Sequence, residues 1–235
     1  MGLRPRDLPM NAGSLTEIAL FVIPIIIAIT FHEAAHGFVA LWCGDDTAKQ
    51  AGRLTLNPIR HIDPFGTVIL PLLLLFFAGF AFGYAKPVPV NFANLKHPRL
   101  DMVRVAAAGP AMNVALAFIS VVLISTLGAF EGNTAALLGN LLLSSARLNM
   151  LLAVFNMLPL PPLDGSKVLA ALLPGRGMRW FLHLERYGML LLLLLLFVLP
   201  LLSARSGLNL NIFGYLVSEP ADYLTSSLLR LVGYF

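Results

Sequence analysis

The stretch Phe31–Gly37, "FHEAAHG", lies inside an apolar run that extends from Ile18 to Trp42. An ionisable side chain inside a membrane-like segment costs at least about 2.5–3.5 kcal/mol on insertion scales and needs an internal partner. Three within five residues are therefore hard to explain as filler. The pattern is H-E-x-x-H. On an α-helix it sets His32 and His36 one turn apart on one face, where both imidazoles can reach one metal ion. Glu33 follows the first ligand directly and can act as general base toward a water at that metal. A polar network between helices, with Glu33 as the partner of the histidines, is the competing reading, but such a network does not require this spacing.

The surroundings favour a membrane. Of the 235 residues, 58% are hydrophobic and only 12% charged, with a mean hydropathy of +0.82, which describes a polytopic membrane protein. No polar stretch is long enough for a separate soluble core, so residues 1–235 read as one membrane-embedded domain. The 16 Lys and Arg outnumber the 12 Asp and Glu, but they are scattered in short loops, which is the positive-inside pattern and excludes a nucleic-acid face. The single cysteine, Cys43, excludes an internal disulfide and reads as a buried thiol. The opening "MGLRPRDLPMNAGS" carries no cleavable leader pattern, and Arg6 stands where a myristoylation signal needs Ser or Thr.

The fold expected is an all-α polytopic membrane protein with about five spans, a re-entrant segment and a small β-region. Apolar runs of spanning length cover Thr16 to Cys43, Val103 to Phe130, Leu148 to Leu173, Tyr187 to Leu202 and, more mixed, Leu208 to Leu229. The run Phe65 to Tyr84 is interrupted by Pro71 and Gly79 and can cross or dip and return. Before it, "AGRLTLNP" (residues 51–58) reads as a short strand; after it, "AKPVPVN" (85–91) reads as an extended edge segment whose prolines cannot donate to a sheet.

Catalytic zinc usually takes three protein ligands and leaves one position for water. Asp164, in "FNMLPLPPLDGSKVL", is the one acidic residue in the three spans that follow the first. Prolines 159, 161 and 162 break the chain just before it and let a carboxylate turn inward.

HExxH in an early helix together with the N-x-x-P-x-P-x-L-D-G pattern of "NMLPLPPLDG" (156–165) resembles the site-2 protease family of intramembrane zinc metalloproteases. The likeness extends to "GRLTLNP", "HIDPFGT", "GYAKPVPVN" and "AGPAMN" and covers most of the chain. It implies that His32, His36 and Asp164 bind Zn2+, that Glu33 activates water, and that Asn156 helps hold substrate or the oxyanion. Asn113 of "AGPAMN" is a candidate for similar polar support, with helix–helix hydrogen bonding as the alternative for both asparagines. Gly109, Pro110 and Gly165 are expected to shape the backbone or permit close packing. His61, His97 and His183 are expected in loops as solvent or headgroup contacts. The segment 85–91 offers an edge that can pair with an unwound substrate, or it simply closes a small sheet.

Topology follows from the ligands. His32 and His36 fall late in the first run and Asp164 late in the third, so those two runs should be parallel. One crossing, Val103 to Phe130, lies between them, and Phe65 to Tyr84 is then re-entrant. This arrangement puts twelve basic residues, among them Lys49, Arg53, Lys86, Arg104, Lys167 and Arg230, on one side. Arg4, Arg6, Arg147 and Arg205 fall on the other. The first side is expected to be cytoplasmic, with the site opening toward it, in the cell membrane. The partners expected are the lipid bilayer and a transmembrane protein substrate. A zinc transporter or sensor is the main alternative function and needs a continuous polar path that the apolar spans scarcely offer. A catalytically dead scaffold would have lost part of the ligand set, and none is missing.

Overall fold

The computed structural model describes residues 15–70, 73, 76, 83–127, 132–199, 202 and 211–234. The opening segment, most of the interior of the Phe65–Tyr84 run and the stretch joining the fourth and fifth expected spans lie outside the described residues.

Apolar sequence in lipid must satisfy its backbone internally, and long helices do so. Among the described residues, three are long and apolar enough to cross a membrane: α1 (Leu15–Trp42), α2 (Pro98–Thr126) and α3 (Asn133–Asn156). Their outward faces carry exposed Phe21, Ile26, Phe118, Ile119 and Leu123, as lipid-facing surfaces require. Gly44, in the left-handed region at φ +111°, turns the chain after α1. Pro98 opens α2, and Asp101 in its first turn accepts from the His97 N–H and from Arg104.

The helices are joined inside by polar side chains. Ser120 bonds Ser145, and Asn113 donates to Asn149 Oδ1, so α2 and α3 are antiparallel. His32 near the end of α1 meets Asn113 of α2, and His36 meets Val105. The end of α1, the start of α2 and the end of α3 therefore gather at one end of the bundle, and α1 and α3 run the same way.

After α3 come a proline-rich loop and α4 (Asp164–Leu172), then α5 (Gly175–Leu184), a 3-10 turn Glu185–Tyr187 and α6 (Gly188–Leu193), with a π-turn Leu194–Val198 beyond. The expected run Leu148 to Leu173 is thus two helices, because Pro159, Pro161 and Pro162 cannot continue the ladder of α3. A last helix, α7 (Glu219–Leu231), packs along α2 and α3. Its Ala221 meets Ala117 and Met150, while Leu229 meets Val121, Ile124 and Ala146, so α7 runs away from the end where the histidines lie. Arg230 consequently sits at the opposite end, not with the basic residues grouped above. Arg147, placed outside by the same reasoning, lies within α3.

Among the described residues three helices are of spanning length and composition, where about five spans were expected. Gly188 is pressed against Pro161, and Phe213 stacks near Phe155. Gly188 and Phe213 therefore lie at the same end of the bundle as Pro161 and Phe155, and part of the chain that joins them lies outside the described residues.

The expected β-region is also corrected: among the described residues there is no strand. Residues 83–91 are extended, yet the strap's N–H groups are held by loops and side chains instead of a ladder. Tyr84 N–H donates to the Gly66 C=O and Lys86 N–H to the His61 C=O. Val88 N–H donates to Glu33 and Asn91 N–H to Asp45. Pro87 and Pro89 supply no donor. Thr67 Oγ1 donates back to the Tyr84 C=O, so the two ends of the Phe65–Tyr84 run are bonded to each other.

Candidate active site

α1 presents His32 and His36 toward α2, and both rings are oriented from behind. The His36 Nδ1–H donates to the Val105 C=O at 2.7 Å, which leaves Nε2 as a bare lone pair. Asn113 uses its amide nitrogen toward the Ala28 C=O and Asn149 Oδ1, so its oxygen faces His32 and accepts the Nδ1–H. The Nε2 of His32 is bare as well. Both rings are thus fixed in the tautomer a metal ligand needs, each by a partner on its other nitrogen.

α4 brings the third group. The Asp164 Oδ2 lies 3.2 Å from each Nε2, and the two Nε2 atoms are 3.0 Å apart, with all three residues buried. With both rings in these tautomers three lone-pair atoms converge on one point, an arrangement suited to a cation. Ligands at tetrahedral angles on zinc, with bonds near 2.05 Å, are separated by about 3.3 Å, so the donor set and its spacing both fit Zn2+.

Two glycines make this convergence possible. A Cβ at Gly109 would lie 2.4 Å from His36 Nε2 and 2.5 Å from His32 Nε2, so α2 can approach the cluster only with hydrogen there. A Cβ at Gly165 would lie 2.2 Å from the Met157 carbonyl oxygen, and α4 tucks under the preceding loop for the same reason. Both were expected to permit close packing, and both do. Pro110 is buried inside α2 beside Gly109.

The cluster opens into a cavity of about 580 Å³. Its wall includes Glu33, Tyr84, Pro87, Val88, Val90, Phe155, Asn156, Lys167 and Glu185, and most of the remainder is apolar. Glu33 lines this cavity next to His32 while its Oε2 accepts the Val88 N–H at 2.8 Å. Asn156 is present in the wall, but its amide nitrogen donates to the Leu152 C=O of its own helix and it makes no hydrogen bond to the three ligands. Asn113, the other asparagine considered for polar support, is the one that bonds a member of the cluster, His32.

Asn149 was missed altogether. An amide two turns before Asn156 in an apolar span was the available signal, and its partner across α2 was not. His97 and His183 are exposed as expected, but His183 lies in α5 and not in a loop. His61 is corrected: it is buried and donates through Nε2 to the Thr55 C=O, holding the loop that anchors Lys86. Arg53, also buried, donates to the Lys86 C=O from the other side.

The sequence profile of Peptidase family M50 matches residues 20–137 and 125–199. Over 191 residues the chain is 44% identical to "Putative zinc metalloprotease YwhC" of Bacillus subtilis (strain 168), covering 80% of this chain and 84% of that protein. Over 217 residues it is 28% identical to "Putative zinc metalloprotease Rip2" of Mycolicibacterium smegmatis, covering 91% of this chain and 80% of that one. No solved structure matches the chain. With the histidines of HExxH and a distant aspartate drawn to one point inside a bundle of apolar helices, and with these relatives, the chain belongs to peptidase family M50, the site-2 protease family.

Proposed function

We propose that the protein is an intramembrane zinc endopeptidase that cuts peptide bonds within or near the spanning helices of membrane-tethered proteins. The observation that carries this reading is the buried His32–His36–Asp164 cluster opening, beside Glu33, into a cavity among apolar helices. Zinc held by those three residues supplies a Lewis acid and an acidified water. Glu33 takes the proton of the attacking water and returns it to the leaving amine. The Val88 N–H fixes one oxygen of Glu33, leaving the other to work in the cavity. Asn156 faces the same cavity and supports the substrate carbonyl or the oxyanion once its amide turns from Leu152.

A substrate helix protects its backbone by internal hydrogen bonds and must unwind locally before a carbonyl enters. The extended strap at 85–90 offers an unwound segment a parallel path along the cavity wall. The bonded ends of the Phe65–Tyr84 run support a re-entrant path for it. Basic residues of the loops and strap at the ligand end, Lys49, Arg53, Arg60, Lys86 and Lys96, favour that end as cytoplasmic, so the site opens toward the cytoplasm of the cell membrane.

The test is cleavage of single-span substrates by the purified protein in bilayers, with zinc content measured beside Glu33→Gln. Glutamine keeps an acceptor for the Val88 N–H but cannot take a proton, so zinc should stay and turnover vanish. Full activity in that variant would remove Glu33 from the mechanism. Stoichiometric zinc with no cutting of any substrate would move the weight to transport or sensing.

A further inference from the structure

Two charged side chains in the cavity wall have no part in the chemistry above. Lys167 stands on α4 one turn after Asp164, on the same face of that helix. Glu185 opens the 3-10 turn that leads into α6, whose Met189 and Leu192 also line the cavity. Both are half-buried. Among the described residues, neither makes an ion pair or a side-chain hydrogen bond, with each other or with any neighbour.

An unpaired charge on a mostly apolar wall discriminates strongly. It attracts an opposite charge carried in by a ligand and penalises a like charge, which must surrender its water to enter. Two unpaired charges of opposite sign, on separate elements of one wall, give the cavity a polarity along the bound chain. Lys167 is tied to the cut bond, because α4 carries both it and the carboxylate of the metal cluster. Glu185 belongs to the 3-10 turn beyond α5 and addresses a residue farther along.

We propose that Lys167 and Glu185 determine substrate specificity by reading charge. Lys167 receives an acidic side chain beside the cut peptide bond, and Glu185 receives a basic side chain farther from it. The occupant is an unwound peptide segment bearing that acidic–basic pair in an otherwise apolar context. This rests on the proteolytic reading of the cavity.

The experiment uses single-span peptides in nanodiscs, each a neutral parent with one Asp or one Lys moved stepwise across the cut region. Cleavage is measured with the wild-type chain and binding with Glu33→Gln. An Asp at the reading position should lower KM about fivefold against the parent, and a Lys there raise it similarly, with kcat within about twofold. Lys167→Glu should invert the preference at that position, and Glu185→Lys should invert it at the other. Lys167→Gln and Glu185→Gln should abolish each preference without inverting it, with zinc content checking that each variant is assembled.

The double swap, Lys167→Glu with Glu185→Lys, separates this from a mere structural pairing: charge reading predicts inversion at both positions, pairing predicts wild-type behaviour. Cutting that ignores charge in every variant overturns the proposal and leaves the protease standing. Binding to the Glu33→Gln protein that inverts with the swaps, while the wild type cuts nothing, retains the charge reading and overturns proteolysis.

Discussion

Gly109→Ala tests whether the wall of α2 sets the metal geometry. The added methyl would stand 2.4 Å from His36 Nε2 and 2.5 Å from His32 Nε2 and Cε1, where ordinary contact begins at 3.4 Å. Either the rings or α2 must retreat by about 1 Å, since repulsion rises too steeply for compression to absorb it. Metal–ligand bonds tolerate only about ±0.2 Å, so ring movement of that size breaks coordination. Movement of α2 is no escape, because the same helix carries the Val105 carbonyl and Asn113 that orient both rings. The expected loss is at least that of removing an outer partner of a ligand, about 10- to 100-fold in zinc affinity. The assay is competition for zinc with a fluorescent chelator in nanodiscs, read beside peptide cleavage. Gly139→Ala on α3 is the control: its nearest outside atom is Leu127 Cδ1 at 3.8 Å, so zinc affinity should not change. Wild-type zinc affinity and activity in Gly109→Ala would refute the argument that α2 closes on the ligands.

Asn113→Ala removes the acceptor that fixes the His32 tautomer; zinc affinity should fall about 10- to 100-fold in the same competition assay. Asn149→Ala should cost less, and the two losses should be non-additive, because Asn149 acts through Asn113. Removing zinc by dialysis against a chelator should lower the melting temperature and restoring zinc should recover it, since three buried lone-pair groups are left without a partner. Asp45 lies just beyond α1 and is fully buried. Burial pushes its carboxyl up, but hydrogen bonds from Thr47, Asn91 and Asn94 outweigh that and hold it below the usual carboxylate range. Its contribution is therefore complete above the unfolded carboxylate pKa of about 4 and is lost as pH falls through the lower folded value. Melts between neutrality and about pH 3 should show an acid-side loss that Asp45→Asn flattens, with lower stability at neutrality; an unchanged profile would remove Asp45 from the acid transition.

The meeting of His32, His36 and Asp164 at one point was legible because each part leaves a local mark. HExxH carries its spacing within one helix, and Asp164 stands alone as an acid in apolar sequence after three prolines. Asn113 and Asn149 were harder to read, because an amide in a spanning helix looks alike whether it orients a ligand or packs two helices. Only the partner across the bundle decides. The strap misled for a related reason: alternation and proline describe extended backbone well, but say nothing of what accepts its N–H groups, which here are Glu33, Asp45 and two loop carbonyls. Hydropathy likewise marks apolar length without direction. It marks Tyr187 to Leu202 as long enough to cross, but where Gly188 and Phe213 sit, beside Pro161 and Phe155, is set by contacts that hydropathy does not carry.

The distance in sequence between the ligands governs when the enzyme comes into being. A nascent chain that has passed residue 60 already holds both imidazoles and Glu33, yet a two-ligand site binds zinc weakly and sets nothing in place. The carboxylate arrives only after α2 and α3 have been made, and the cavity wall that contains Lys167 and Glu185 arrives later still. A chain interrupted before Asp164 would thus be inert, and proteolytic competence would coincide with completion of the bundle. Under the proposed function, in which the targets lie in the same membrane, the order of synthesis serves as an intrinsic delay.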